Sequence, residues 1–557
     1  MASLAATSLL FVLCVGFLHP RYAINDDLKI IAIAAGYPAA TPAPFLVHIN
    51  VLLGFLLVPL YGLHSIINWE AWLFLALDFA SIWALLFVLL KSSASARWKS
   101  VGLAVILVCG SYFPLNITFT NAAALADLAG LSLLLASVQA GVSIRKAPTL
   151  AGLGLVVAGS MIRMQMLAIT VPLVLVGFIF LHNSINLRAL AIGLAATGLV
   201  ILAAYGADRI IVRAHPDWNS YYHYNALGEQ IRDAHRLENA GRTIRRISWS
   251  GNDQELFARL FYPDAGIYSV KRLQYLVSNI QGASAKPLAS PAVFYQRLQD
   301  AGALPVLGVL AGMLLLSITG ITSRRKAVAV TGMSLVMLAE NIGLVWAYKD
   351  PDYVLLASLA GAAMMATVIL NWPSRERAAA TSKPSGWLRP GFLFPVVMIG
   401  LGLGILTAQW LEASRLNLEL QGDYRRILTD LNRLQSEGTL AQDAIIVSPA
   451  HGIPWEWSNP LIVDFPKIPF FDTGWITFSP PYEQTLQHYQ IDPLPQALYQ
   501  KDNVYLMTKT VFQRFLQLYY EEHEHVTVTF EPVYNMPNPQ HVPEFGDIQL
   551  YKVVRVK

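Results

Sequence analysis

Charge is scarce in this chain: 14% of its 557 residues are Asp, Glu, Lys or Arg, against roughly 25% in soluble domains. That shortage excludes an ordinary cytosolic enzyme. With 55% apolar residues and a mean hydropathy of +0.45, the bilayer is the expected solvent. Cysteine is nearly missing as well. Cys14 and Cys109 both lie in apolar runs, which leaves the extramembrane parts no disulfide and no Cys-based zinc site. Long basic tracts are absent, and 40 basic against 36 acidic residues leave a net charge of only +4, so nucleic acid is not an expected partner. There is no P-loop, no G-x-G-x-x-G before a helix, no H-E-x-x-H and no G-x-S-x-G, which removes the common nucleotide, zinc-protease and serine-hydrolase chemistries. Internal repeats and low-complexity segments are lacking too.

Long apolar runs are plentiful. Residues 2 to 18 have no basic stretch before them and no A-x-A after them, so they read as a retained first helix rather than a cleaved leader. Ten further runs of spanning length follow, at roughly 69–90, 100–117, 120–140, 148–163, 165–182, 189–211, 303–322, 327–346, 353–371 and 391–411. Eleven crossings are therefore expected. The basic loops Lys91/Arg97/Lys99, Arg145/Lys146, Arg188, Arg324/Arg325/Lys326 and Arg375/Arg377/Lys383/Arg389 all fall on the cytoplasmic side if the N-terminus is cytoplasmic. One apolar run, Phe45 to Leu63, is left out of the count. As a crossing it would invert every downstream loop, and it holds His48, Asn50, Gly54 and Pro59 behind a Pro42-Ala-Pro44 entrance. It is expected to be an interfacial or re-entrant helix on the outer side.

This topology predicts a membrane domain over 1–411 with outer loops 19–68 and 212–302, and an extracytoplasmic α/β domain over 412–557. In the latter, a helix is expected from Asn417 to Leu434 and another near Val511 to Glu522. Strands are expected at 444–448, 503–507, 526–530 and 548–554. The inner side carries only short loops, so the working surface is expected at the outer leaflet of an inner (plasma) membrane.

The first outer loop reads His19-Pro-Arg-Tyr-Ala-Ile-Asn25-Asp26-Asp27-Leu-Lys29. Two adjacent carboxylates at a membrane exit can act as a general base, hold a divalent cation, or cap the helix that follows. The acidic pair after helix one, the stretch ending Gly36-Tyr37-Pro38, the Pro-introduced apolar segment, the many further spans and the soluble C-terminal domain together resemble the GT-C glycosyltransferases. That resemblance implies a polytopic GT-C-like fold with about eleven spans and an outer interfacial helix. It also implies a hexosyl- or pentosyltransferase that takes its sugar from a polyprenyl-phosphate donor. The acceptor would be a glycan, a lipid or a protein, with membrane lipids around the whole. In such enzymes a first-loop acid is generally the catalytic base, a role that would fall on Asp26 with Asp27 in support. Mg or Mn between the two remains open. The lack of a nucleotide-binding motif agrees with a lipid-linked donor.

A departing lipid phosphate gathers negative charge, so a cation at the outer face is wanted. Arg163 and Lys349 lie at outward turns, and Arg209 at the outer end of a span. Their alternatives are interfacial snorkelling for the arginines and pairing with Asp350 or Asp352 for Lys349. Trp218, Tyr222 and His48 are candidate sugar or acceptor contacts, as is Asp253, which could equally cap a helix. Asp127 and Glu340, nearer the outer ends of their spans, are candidates to line a hydrophilic cavity. Asp78, at mid-depth, fits a helix–helix hydrogen bond better. His451 sits in an aromatic loop with little to recommend it. Two other classes stay open: a transporter or flippase of a lipid-linked substrate, and a non-catalytic GT-C-like subunit of a membrane assembly.

The topology is checked by single cysteines in a chain lacking Cys14 and Cys109. Ser65→Cys should react with an impermeant reagent from outside while Ser374→Cys stays protected; the opposite pattern inverts the orientation.

Overall fold

The apolar runs fold as helices, since a backbone without water must satisfy its own hydrogen bonds. This computed structural model describes residues 1–140, 142, 146–179, 187–232, 237, 241–280, 291–319, 323–346, 351–372, 390–449, 452–536 and 548–556. Among them, seven helices are long and apolar enough to cross a membrane: Trp69–Lys91, Ala96–Leu115, Phe119–Gln139, Leu190–Arg213, Arg324–Trp346, Asp352–Asn371 and Leu393–Ser436. The chain is a polytopic helical protein with a C-terminal sheet.

Seven of the eleven expected crossings are among these long helices. The other four expected crossings are the helices Ala2–Phe17, Ala147–Arg163, Met166–Ile179 and Leu304–Ile318, of 14 to 17 residues. At 1.5 Å per residue their described parts rise about 21–26 Å, against a hydrocarbon core about 30 Å thick. Leu304–Ile318 also follows Pro291–Asp300 at a bend of 112°. The Phe45–Leu63 run is helical only over Val51–Leu63, about 20 Å.

Phe119–Gln139 is the most enclosed of the long helices, with almost every residue buried. Small side chains let neighbours close on it. A methyl group added at Gly130 would lie 2.6 Å from the Gly152 carbonyl oxygen, and one at Gly159 would lie 2.5 Å from Asp127 Oδ1. Asp127 is thus packed against a glycine of the next helix, and it lines neither of the two main cavities.

Outside the membrane helices, β1 (Arg21–Tyr22) pairs in parallel with β2 (Asn116–Ile117), tying the start of the first outer loop to the chain just before Phe119. The C-terminal strands β3 (Ile445–Ser448), β4 (Phe470–Asp472), β5 (Val504–Lys509), β6 (Val528–Asn535) and β7 (Ile548–Arg555) form one sheet, in the order β4-β3-β5-β7-β6. Strands β4, β3 and β5 run parallel, and β7 pairs antiparallel with both β5 and β6.

Alternate side chains of a strand face opposite sides, and here both sides are covered. Ile446, Phe470, Tyr505 and Met507 share a core with Ile30, Ile31, Tyr424 and Ile427. Ile445, Val447, Phe471 and Leu506 share another with Tyr224, Ile231, Phe257 and Leu273. The first outer loop and the long last helix therefore lie on one face, and the 212–302 loop on the other. The expected boundary at 412 is also crossed by a continuous helix, Pro390–Ser436. The body around the C-terminal sheet is assembled from three stretches of chain and not from 412–557 alone.

One close approach fixes the segment carrying His48. A Cβ on Gly54 would fall 1.9 Å from the Pro44 carbonyl oxygen, so only glycine lets Val51–Leu63 fold back on its own entrance. Gly54→Ala should destabilise the chain by about 1–3 kcal/mol, read as a lower Tm in phospholipid nanodiscs; an unchanged Tm would show that the segment relaxes freely.

Candidate functional site

The acidic pair opens the helix Asp26–Ala35, where the unpaired N–H groups of the first turn favour negative charge. Neither carboxylate is used as a cap. Asn25 occupies the N-cap position without a side-chain cap bond. Asp26 Oδ1 accepts from Trp475 Nε1 at 2.8 Å, and Asp27 Oδ1 accepts from the Phe119 backbone N–H at 3.1 Å. The capping alternative therefore does not account for the pair.

Helical spacing explains the division. Asp26 and Lys29 are three apart and share a face, which meets the loop after β4: Lys29 Nζ lies 2.9 Å from Asp472 Oδ2 and donates to the Thr473 carbonyl at 3.0 Å. Asp27 points about 100° away, toward the start of Phe119–Gln139. It is fully buried, and its Oδ2 makes no hydrogen bond among the described residues. Burial, reinforced by the negative charge of Asp26, raises the Asp27 carboxyl well above the usual carboxylate range, and the Phe119 N–H and the more distant Arg163 only partly offset this.

Arg163, at the C-terminus of Ala147–Arg163, reaches the same place. Its guanidinium lies over the Phe119 ring, 4.8 Å from the centroid, and Nη1 donates to Thr120 Oγ1 at 2.7 Å. His48 stacks on that same ring at 5.4 Å and 5°, and meets Trp475 edge-on at 5.4 Å. Tyr353 is within electrostatic reach of Arg163, Asp26 and Asp27. Asp26, Asp27, Arg163 and His48, picked from separate stretches of sequence, thus converge around Phe119 and Trp475.

The other candidates lie elsewhere. Trp218 stacks on Phe45 at 4.8 Å, and the Tyr222 hydroxyl accepts from the Val47 N–H at 3.1 Å. Both brace the segment that carries His48. Arg209 is exposed and turned back on Tyr205, donating to its hydroxyl at 2.7 Å. Asp253 is fully buried at the third position of Gly251–Ala258, in a reciprocal capping box with Ser250, and its Oδ1 lies 2.8 Å from His523 Nε2. Those bonds are structural in kind, although Ser250, and not Asp253, is the N-cap of the helix. Lys349 and His451 lie outside the described residues.

Among the described residues, one group of three could offer ligand atoms to a metal: Asp253, Glu522 and His523, within 4.8 Å of one another. Its members already bond one another or Ser250. Asp26 and Asp27 belong to no such group, because their oxygens are drawn to different donors.

Two cavities flank the cluster. One is a narrow apolar crevice that includes Thr120, the partner of Arg163, and is lined by Leu125, Met166, Leu173 and Ala357 of the membrane helices. The other lies between Asp26–Ala35 and the sheet, with Lys29 and Asp472 in its wall. No protein family matches this chain, and no curated protein or solved structure does either.

Reading the sequence missed Phe119, Trp475, Lys29 and Asp472. Lys29 alone carried a signal, as the one basic residue within the apolar run of its helix, which demands a buried partner.

The raised Asp27 pKa makes a stability prediction. An acid whose folded-state pKa exceeds its unfolded value stabilises the fold while protonated, and that contribution is lost as pH rises through the folded-state pKa. Asp27→Asn keeps an acceptor for the Phe119 N–H without the ionisation. Its Tm should match wild type in acid and exceed it increasingly toward pH 9 in a thermal-shift series. A difference that stays flat or shrinks with rising pH would show that Asp27 is ionised in the fold.

Proposed function

We propose that this chain is a membrane glycosyltransferase of GT-C type that takes a sugar from a polyprenyl-phosphate donor at the outer leaflet, with inversion. One observation carries the reading: a half-buried carboxylate, Asp26, and a guanidinium, Arg163, belong to one cluster at the head of an apolar cavity that enters the membrane helices. A lipid with an anionic head needs both an apolar path for its chain and a cation where the chain emerges.

The chemistry follows from the two charges. The acceptor hydroxyl attacks the anomeric carbon as Asp26 takes its proton, the bond from that carbon to the phosphate oxygen breaks, and the phosphate leaves with the electron pair. Arg163 stabilises the growing phosphate charge, with Lys349 as a second cation. Trp475 orients Asp26 through its indole N–H. Burial raises the Asp27 carboxyl and so disfavours a second negative charge beside the departing phosphate. His48 offers a ring edge for substrate hydroxyls. A single displacement by one base inverts the anomeric centre.

The test is transfer by the purified chain in nanodiscs from synthetic polyprenyl-phosphate hexoses and pentoses. Asp26→Asn should lower turnover by about 10²-fold or more at nearly unchanged Tm, and Arg163→Ala should raise the donor KM. Wild-type turnover in Asp26→Asn would remove it as the base. Movement of lipid-linked sugar across vesicles without a new glycosidic bond would make the chain a transporter, and neither activity would leave the subunit reading.

A further inference from the structure

The loop that covers the far face of the sheet also reaches the Asp26 cluster, through one helix. The helix Pro216–Arg232 carries Trp218 and, three and four residues on, Tyr221 and Tyr222, a spacing that puts all three on one side. Each grips a different stretch of chain. Tyr221 is buried, and its hydroxyl donates to the Trp475 carbonyl at 2.7 Å. The Tyr222 hydroxyl accepts from the Val47 N–H at 3.1 Å, and Trp218 stacks on Phe45.

The stretches so gripped carry the neighbours of Asp26. Trp475 donates its indole N–H to Asp26 Oδ1, and His48, the residue after Val47, meets the Trp475 ring edge-on at 5.4 Å. Both stretches have backbone that needs holding. Val47 has φ 63°, in the left-handed region, within a three-residue turn closed by the His48 N–H on the Leu46 carbonyl at 2.7 Å. For a β-branched residue that conformation is costly, and it persists where neighbours over-determine it. Trp475 follows Gly474, at φ 113°, a backbone freedom peculiar to glycine that the Tyr221 bond to the next carbonyl restrains.

We propose that Tyr221 and Tyr222 are positioning residues of this site: from outside the cluster they fix Trp475 and His48, and through Trp475 the carboxylate of Asp26. Their hydroxyls are engaged with backbone groups, so their part is in aim and not in substrate contact. The effect on turnover rests on the transferase reading, whereas the placement of Trp475 is measurable without any substrate.

The full chain in phospholipid nanodiscs is labelled with fluorotryptophan, and the Trp475 fluorine resonance is identified by its loss in Trp475→Phe. Asp26→Ala should move that resonance, since the indole loses its acceptor. Tyr221→Phe keeps the ring and removes only the donor to the Trp475 carbonyl. It should shift or broaden the same resonance and lower kcat about tenfold, with the donor KM near wild type. Tyr222→Phe should act in the same direction more weakly, and it carries the test should Tyr221→Phe not fold. Tyr275→Phe, which loses a hydroxyl bond to Arg246 elsewhere in the same loop, should match wild type in both readouts. A Trp475 resonance unmoved by Tyr221→Phe and Tyr222→Phe overturns the proposal. Wild-type kcat in both variants of a chain that transfers overturns it too, as does a raised KM at unchanged kcat, which would make the tyrosines substrate contacts. A resonance that moves in Tyr221→Phe while the wild type transfers from no donor leaves the positioning of Trp475 standing and removes the transferase reading.

Discussion

A buried lysine sets the geometry of everything around it. Lys29 sits in a helix that is otherwise apolar and enclosed, between the membrane helices and the C-terminal sheet, and an amine there must find an anion and an acceptor. It finds Asp472 and the Thr473 carbonyl. Removing one member of such a pair leaves an uncompensated charge, at a cost on the order of 3–5 kcal/mol. The pair therefore fixes the rotation of the helix as well as its place. With Lys29 turned to the loop after β4, Asp26 one turn earlier must face Trp475, and Asp27 must face Phe119.

That rotation gives two neighbouring aspartates different chemistry. Asp26 keeps contact with solvent and one indole donor, while Asp27 is sealed against the protein with an oxygen unsatisfied. Burial favours the neutral form of a carboxyl. Two groups equivalent on paper are thereby divided into one suited to accept a proton and one suited to hold its own. The same logic of environment over identity underlies acid–base pairs in enzymes generally.

The C-terminal sheet is covered on both faces. A five-stranded sheet with a free face would leave apolar strands in water, and here the first loop and the last long helix take one face while the 212–302 loop takes the other. This is why Ile445, Ile446 and Val447 read as an unbroken apolar run rather than an alternating one. It also ties the loops beside Asp26 to a stable platform, with the Tyr221 hydroxyl donating to the Trp475 carbonyl at 2.7 Å from the far loop.

Sequence by itself determined the local elements. Apolar runs became helices over most of their described length, with exceptions such as the stretch before Val51, and four of the five C-terminal strands lie where the β-rich runs are. Asp26, Asp27 and Arg163 stood out in the sequence because charge is scarce in this chain. Only the tertiary structure decided their partners. Asp26 meets a residue 449 positions away, and Asp27 one 92 positions away, contacts that no local periodicity encodes. It likewise set Asp253 against His523 and Trp218 against Phe45, because a side chain's use depends on what packs against it. Strand β4, three residues long, is too short for any period to show; it exists because β3 supplies its hydrogen bonds. Helix length against bilayer thickness was settled by where each helix ends. Those ends are set by turns and bends, such as the 112° break before Leu304, that hydropathy does not contain.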